Sequence, residues 1–301
     1  MRRTRWASTA SLFACSLLVL GIAGCSDSTN PGSNGSIPTA EVEDIGDAAA
    51  DEVDQSVNAL TISGAEAGAA VQSSAAESVM GFPPRGASCA TVDNTTDSDG
   101  DGSPDHATLT FALPACSFTG FRGGTLEITG TIELSDPTPS SPDFAYQATL
   151  TDFQFRFTSP NERRSFTAVR NGTRTLTGNA ASASLTNNIT VVRSVTGRAD
   201  ATVSHNTLLT FTPAEGESLA EGQPLPDGTF VKSGTLIWSR NGRSRTFTVT
   251  TAEPLVWDAS CTTDRKIVSG EVHWTLADGS YIKTVWTGCG EDPIRSFVPA
   301  A

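Results

Sequence analysis

The clearest chemistry in the chain lies in nine residues, Asp97-Ser98-Asp99-Gly100-Asp101-Gly102-Ser103-Pro104-Asp105. Carboxylates at alternate positions let one loop turn several oxygens toward a hard cation. Asp97, Asp99 and Asp101 are the candidate ligands, Gly102 supplies a sharp turn, Ser103 offers its carbonyl, and Asp105 reaches the ion directly or through water. The twelfth position is Thr108 where a glutamate would complete the shell, and β-like runs flank the loop on both sides. Five aspartates lie between Asp93 and Asp105, and the nearest basic residues in sequence are Arg85 and Arg122. Such crowding calls for a cation, so the expected cofactor is a structural calcium ion. The alternative is a solvated acidic turn.

Cysteines frame this loop. Of six in the chain, Cys15 and Cys25 lie near the start, and the other four form two near-equal brackets, Cys89/Cys116 and Cys261/Cys289. Four cysteines allow three pairings. The local pairing is expected, because each bracket encloses a hairpin-like unit, the second with Asp278-Gly279 at its turn. No CxxC occurs, which argues against zinc.

The first 24 residues read as a targeting segment. Arg2, Arg3 and Arg5 precede an apolar run from Leu12 to Ile22, short for a membrane span. It ends in Ile22-Ala23-Gly24-Cys25, which resembles a bacterial lipobox. That resemblance implies cleavage before Cys25, acylation of its thiol, and a lipid-anchored protein of the bacterial cell envelope. Ser26 in place of aspartate implies delivery to the outer membrane, with Asp27 weakening that inference. The aspartate loop, for its part, resembles the DxDxDGxxD loops of thrombospondin type 3 and dockerin-like modules over nine residues.

The formal charge is −13, and the first 24 residues hold three arginines and no acid, so the remainder carries −16. That balance argues against nucleic acid and anionic lipid as partners. Residues 25–39, rich in Ser, Asn, Gly and Pro, are expected to be a flexible tether. From Ser26 to Pro84 there are ten acids and no Lys or Arg, a stretch that any basic partner would meet first. Within it, Val42, Ile45, Ala49, Val53, Val57 and Leu60 recur at helical spacing. The expectation is an amphipathic helix over Ala40–Leu60, packed on the protein's own sheet, and a weaker helix over Ala65–Val79. The helical segment is bounded as residues 40–80.

From Ser88 the period becomes two. Leu126, Ile128, Ile132 and Leu134 mark one strand. A phase slip at Thr151-Asp152, between Leu150 and Phe153, predicts a β-bulge. Ala201, Val203, Leu209 and Phe211 mark another strand, and Val268, Val272, Trp274 and Leu276 a later one. Asn171-Gly172 and Asn241-Gly242 are read as hairpin turns. No helix-period stretch interrupts the run, so residues 81–301 are expected to form a mainly β domain. Its fold is a single large antiparallel meander of about a dozen strands, an open or partly closed barrel or a sandwich.

Three histidines offer little: His106, His205, read as a satisfied wall histidine among inward residues, and His273 on a wet face. Trp238, Trp257, Trp274 and Trp286 are expected in the core, with an aromatic sugar platform as the alternative. The β region, with its early cysteine and its tail Pro254-Leu255-Val256…Cys261…Cys289, resembles a loose group of uncharacterised envelope lipoproteins. Three functions fit these residues: a non-enzymatic structural or interaction module, a carrier or chaperone for an apolar ligand, and a glycan-binding module or hydrolase. The partners they imply are the membrane, through the anchor, and a protein or glycan.

Overall fold

The period-two residues fold into one sheet and the period-3.6 residues into the helix beside it. The computed structural model describes residues 37–60, 89–93, 96–99, 104–119, 124–140, 145–160, 165–220, 224–263 and 266–300. The stretch read as a targeting segment, Cys25 and the expected second helix lie outside them. Helix α1 spans Thr39–Leu60. The strands are β1 Thr91–Asp93, β2 His106–Phe111, β3 Ser117–Thr119, β4 Thr125–Ser135, β5 Tyr146–Thr158, β6 Ser165–Asn179 and β7 Ser182–Val195. They continue as β8 Ala201–Pro213, β9 Gly228–Arg240, β10 Arg243–Trp257, β11 Ile267–Thr275, β12 Tyr281–Trp286 and β13 Ile294–Val298.

All thirteen strands join one antiparallel sheet in chain order, except that β3 pairs with β4 beyond the end of β2. The meander therefore stands, and the sheet is not closed into a barrel. Helix α1 touches β7 and β8 and also β12 and β13, which lie far apart in sheet order. The sheet must curl around it. Val42, Ile45, Ala49, Val53 and Val57 form its buried face, as their spacing required. Pro38 starts it, its carbonyl accepting the N–H groups of Glu41 and Val42. The core begins earlier than expected: Ile37, assigned to the tether, is buried. Among the described residues no helix is long and apolar enough to cross a membrane.

One turn reading is corrected. Asn241-Gly242 does form the β9–β10 hairpin, with φ of 53° and 73°. Asn171-Gly172 lies instead inside β6, where the sheet bends. Asp152 on the neighbouring strand has φ 46°, in the register shift that the phase slip foretold. The Asn171 side chain answers it, Oδ1 accepting the Asp152 N–H at 2.8 Å. Gly172 sits at φ +133°, and a Cβ there would lie 2.1 Å from the Asn188 carbonyl oxygen. Positive φ is thus needed for close strand approach, and a two-residue loop is not its only use. Near β11, a register irregularity also shifts the inward set: Ile267, Val272 and Trp274 are buried, while Val268 is only half-buried.

Candidate functional site

The site with most chemistry lies on the inner face, under the helix. Across β6, β7, β8 and β9, register places Arg174, Asn187, Thr207 and Gly234 in one row. Gly172, Ile189, His205 and Leu236 form the next, and Arg170, Val191, Val203 and Trp238 the one beyond. These side chains share a face because period two sends alternate residues inward. From above, α1 lowers Glu52 and Ser56, one turn apart, onto the first row.

Glu52 and Lys232 form a buried ion pair at 2.5 Å, their side chains 7% and 0% exposed. Glu52 Oε1 also accepts from Asn187 Nδ2 at 3.1 Å, Thr207 Oγ1 at 2.9 Å and Ser56 Oγ at 2.9 Å. Burial alone would raise the Glu52 pKa. The Lys232 ammonium, helped by these bonds, overrides it and holds the carboxyl at about 2. Burial pulls Lys232 down, and Glu52 opposes that pull. His205 is buried beside them, and burial lowers its pKa to about 4, so the ring is neutral at neutral pH. Gly234 completes the row without a side chain. A Cβ there would lie 2.3 Å from the Asn206 carbonyl oxygen, at φ +126°.

Around this centre the helix acids meet bases of the sheet. Asp51 pairs with Arg193 at 3.0 Å, Asp47 with Arg295 at 2.9 Å and Glu41 with Arg245 at 3.3 Å. Asp44 bridges Arg198 and Arg240. The acids of α1 thus meet bases of the protein's own sheet.

Beside the ion pair a cleft opens between α1 and β6–β8. It encloses about 350 Å³, counting the solvent at its mouth, and is lined by Asp51, Gln55, Arg170, Arg174, Asn187, Ile189, Val191, Arg193 and His205 among others. None of its charged residues was singled out in the sequence. A signal was present, since Arg170, Arg174 and Lys232 share strand parity with Ala168, Leu176, Phe230 and Leu236. A charge at an inward strand position needs a partner or a ligand.

Apart from His205, the residues that were singled out lie elsewhere. Cys89 and Cys116 are at disulfide distance, Cα–Cα 5.0 Å, as are Cys261 and Cys289 at 5.9 Å. Of the calcium ligands, Asp101 and Ser103 lie outside the described residues. Asp97 and Asp99 are half-buried in the β1–β2 connection. Asp105 closes that connection: its N–H donates to the Thr96 carbonyl, and its carboxylate accepts from the Ser98 N–H at 2.9 Å and Oγ at 2.5 Å. These bonds lower its pKa. An ionised carboxylate has lone pairs left for an ion after two such bonds, so Asp105 suits a cation site while also serving as the loop's clasp. Among the described residues alone, no three His, Cys, Asp or Glu side chains converge as a metal shell.

His273 is on the outer face, as expected, bonded to Glu271 at 2.5 Å and stacked on Tyr281. Trp238, Trp257, Trp274 and Trp286 are all buried. Compared with protein-family models, with curated proteins and with solved structures, the chain gives no match.

Proposed function

We propose that the chain is a non-enzymatic lipoprotein of a bacterial cell envelope. It is held at the outer membrane by an acylated Cys25, and its folded part serves as a calcium-stabilised structural or interaction module. The observation that carries the module reading is the occupancy of the curled sheet. Helix α1 lies against its inner face, touching β7, β8, β12 and β13, and is clamped there by Glu41, Asp44, Asp47, Asp51 and Glu52. A carrier of an apolar ligand needs that face empty and greasy, and here the helix occupies part of it and a charged cluster lies beneath the helix. A sugar platform needs exposed tryptophans, and the four candidates are packed inside.

The anchor rests on Ile22-Ala23-Gly24-Cys25 behind a basic and then apolar run. Two or three acyl chains at about 0.8 kcal/mol per buried CH₂ make a stable attachment where one is marginal. Detergent phase partitioning tests it. Wild type should enter the detergent phase with acyl mass on Cys25, and Cys25→Ser should stay aqueous or unprocessed. Identical partitioning of the two would end the lipoprotein reading.

A further inference from the structure

The cleft beside the ion pair holds more positive charge than its acids neutralise. Lys232 answers Glu52 and Arg193 answers Asp51. Among the described residues Arg174 makes no ion pair: it donates to the neutral Gln55 Oε1 at 3.4 Å and feels Glu52, already paired with Lys232, only from farther off. Arg170 is 6% exposed, and among the described residues it makes no hydrogen bond or ion pair. Its guanidinium lies over the Phe155 ring, 4.5 Å from the centroid, and its Nε is buried without a partner. A buried cation left in this way is costly unless something supplies the counter-charge. In a chain of net charge −13 an accidental surplus of buried arginine is the less expected for it.

The geometry leaves room for that counter-charge. Gly172 lies between Arg170 and Arg174 on β6 and contributes no side chain to the face they share. Deeper in, among the described residues, Nδ1 of His205 and Oδ1 of Asn187 are buried without partners; the first can donate in the tautomer that carries its proton there, and the second, an acceptor, suits the O–H of a protonated phosphate. Ala48, Ile189 and Val191 supply an apolar wall. Two guanidiniums flanking a gap suit an ion that presents two oxygens, because each planar fork can donate in parallel.

We propose that this cleft is a binding site for a small oxyanion, a carboxylate or a phosphate, held by Arg170 and Arg174 with Arg193 at its rim. Burial and the neighbouring Arg174 push the Arg170 guanidinium down to about 9, and a bound anion would reverse that direction. The ligand is small: the walled space is about 20 Å³, room for roughly one or two water-sized groups, so the ion seats its oxygens there and leaves the rest at the mouth. The site stands independently of the anchor, because partitioning of Cys25→Ser reports on the one and anion response on the other.

The test uses the full chain in detergent, with thermal melts and calorimetric titrations in inorganic phosphate, acetate and, at matched ionic strength, sodium chloride. Phosphate or acetate should raise the melting temperature saturably where chloride does not, and whichever arm responds identifies the class. Arg170→Met should weaken that response at least tenfold while melting no lower than wild type in anion-free buffer, since the unpaired charge is gone. Should Arg170→Met fail to fold, Arg174→Gln, at a less buried position, carries the same expectation of a weakened response. Wild type with the same melt in all three salts would overturn the site. So would a variant of either arginine that keeps the full response.

Discussion

The middle of this sheet and its two ends are stabilised by different chemistry. In the middle, β6 to β10 are 13 to 15 residues long, each paired on both sides, and α1 lies over part of them. There the protein buries an ion pair and satisfies it with three neutral donors. At the ends, β1 and β3 have three residues each, β12 six and β13 five. Short edge strands guard against edge-to-edge association but bury little. Both cysteine pairs lie at those ends, around β1–β3 and around β11–β12. The difference teaches that polar burial is affordable only where the surrounding lattice of strands is complete, and that covalent closure serves where it is not.

The largest effect should come from breaking the middle. Glu52→Gln leaves Lys232 buried without a counter-charge, and Lys232→Met does the same to Glu52. Each should cost about 3–5 kcal/mol in urea unfolding, whereas the double variant should recover most of that loss. Additive losses would mean that the pair does not act as a unit.

The ends should answer to reduction. Closing a loop of this length is worth about 3.5 kcal/mol on the chain-entropy account. Mass mapping of unreduced protein should link Cys89 to Cys116 and Cys261 to Cys289. Replacing both cysteines of a pair by serine should then speed hydrogen exchange in β1–β3 or in β11–β13, while α1 and β6–β9 stay protected. Loss of protection everywhere at once would erase the contrast between middle and ends.

What could be read from the sequence divides along the same line. The ends were legible, because cysteine brackets and turn glycines are local signals: Asp278-Gly279 stands where expected between β11 and β12, and in the middle only the Asn241-Gly242 turn is as plain. Helix α1 was legible from its stripe, and the bulge at Asp152 from a parity slip. The middle was not, because its content is relational. Glu52 looks like one more acid on an acidic helix until register brings Asn187, Thr207 and Lys232 beneath it. His205 was correctly placed on the inner wall, but it is not the satisfied histidine expected, since its Nδ1 has no partner among the described residues, and nothing local says that an ion pair adjoins it. Asn171-Gly172 misled for the converse reason: a residue pair that tolerates positive φ marks a bend inside a strand as readily as a turn between two.

His205 gives a pH test of the middle. Its pKa is about 4 in the folded protein and near 6.5 unfolded. Between those values the unfolded chain takes the proton first, so stability is complete above pH 6.5 and falls as pH drops toward 4. The loss approaches roughly 3 kcal/mol by pH 4. Glu52, held at about 2, acts in a lower window: its contribution is present above pH 4.5 and is lost as pH falls through 2. His205→Gln should flatten the stability profile between pH 6.5 and 4.5 and leave the acid limb below it. An unchanged upper limb would show that the ring is solvated.

The smallest effect belongs to the aspartate loop and sharpens the view of the ends. Binding to the folded state alone stabilises by about 1.4 kcal/mol at ten times Kd, which for a chain of this size is roughly 3–5 °C in Tm. Millimolar calcium should produce that shift, and magnesium much less, because it gives up its water reluctantly. The choice of variant matters. The Asp105 carboxylate already holds Ser98 through two bonds, so removing it loosens the loop whether or not an ion is bound. Asp99→Ala with Asp101→Ala spares that clasp and the cysteine pair at the loop's base, and should abolish the calcium response while the protein stays folded. If wild type melts identically in calcium and in EDTA, the clasp closes the loop without an ion and the aspartates are a solvated turn.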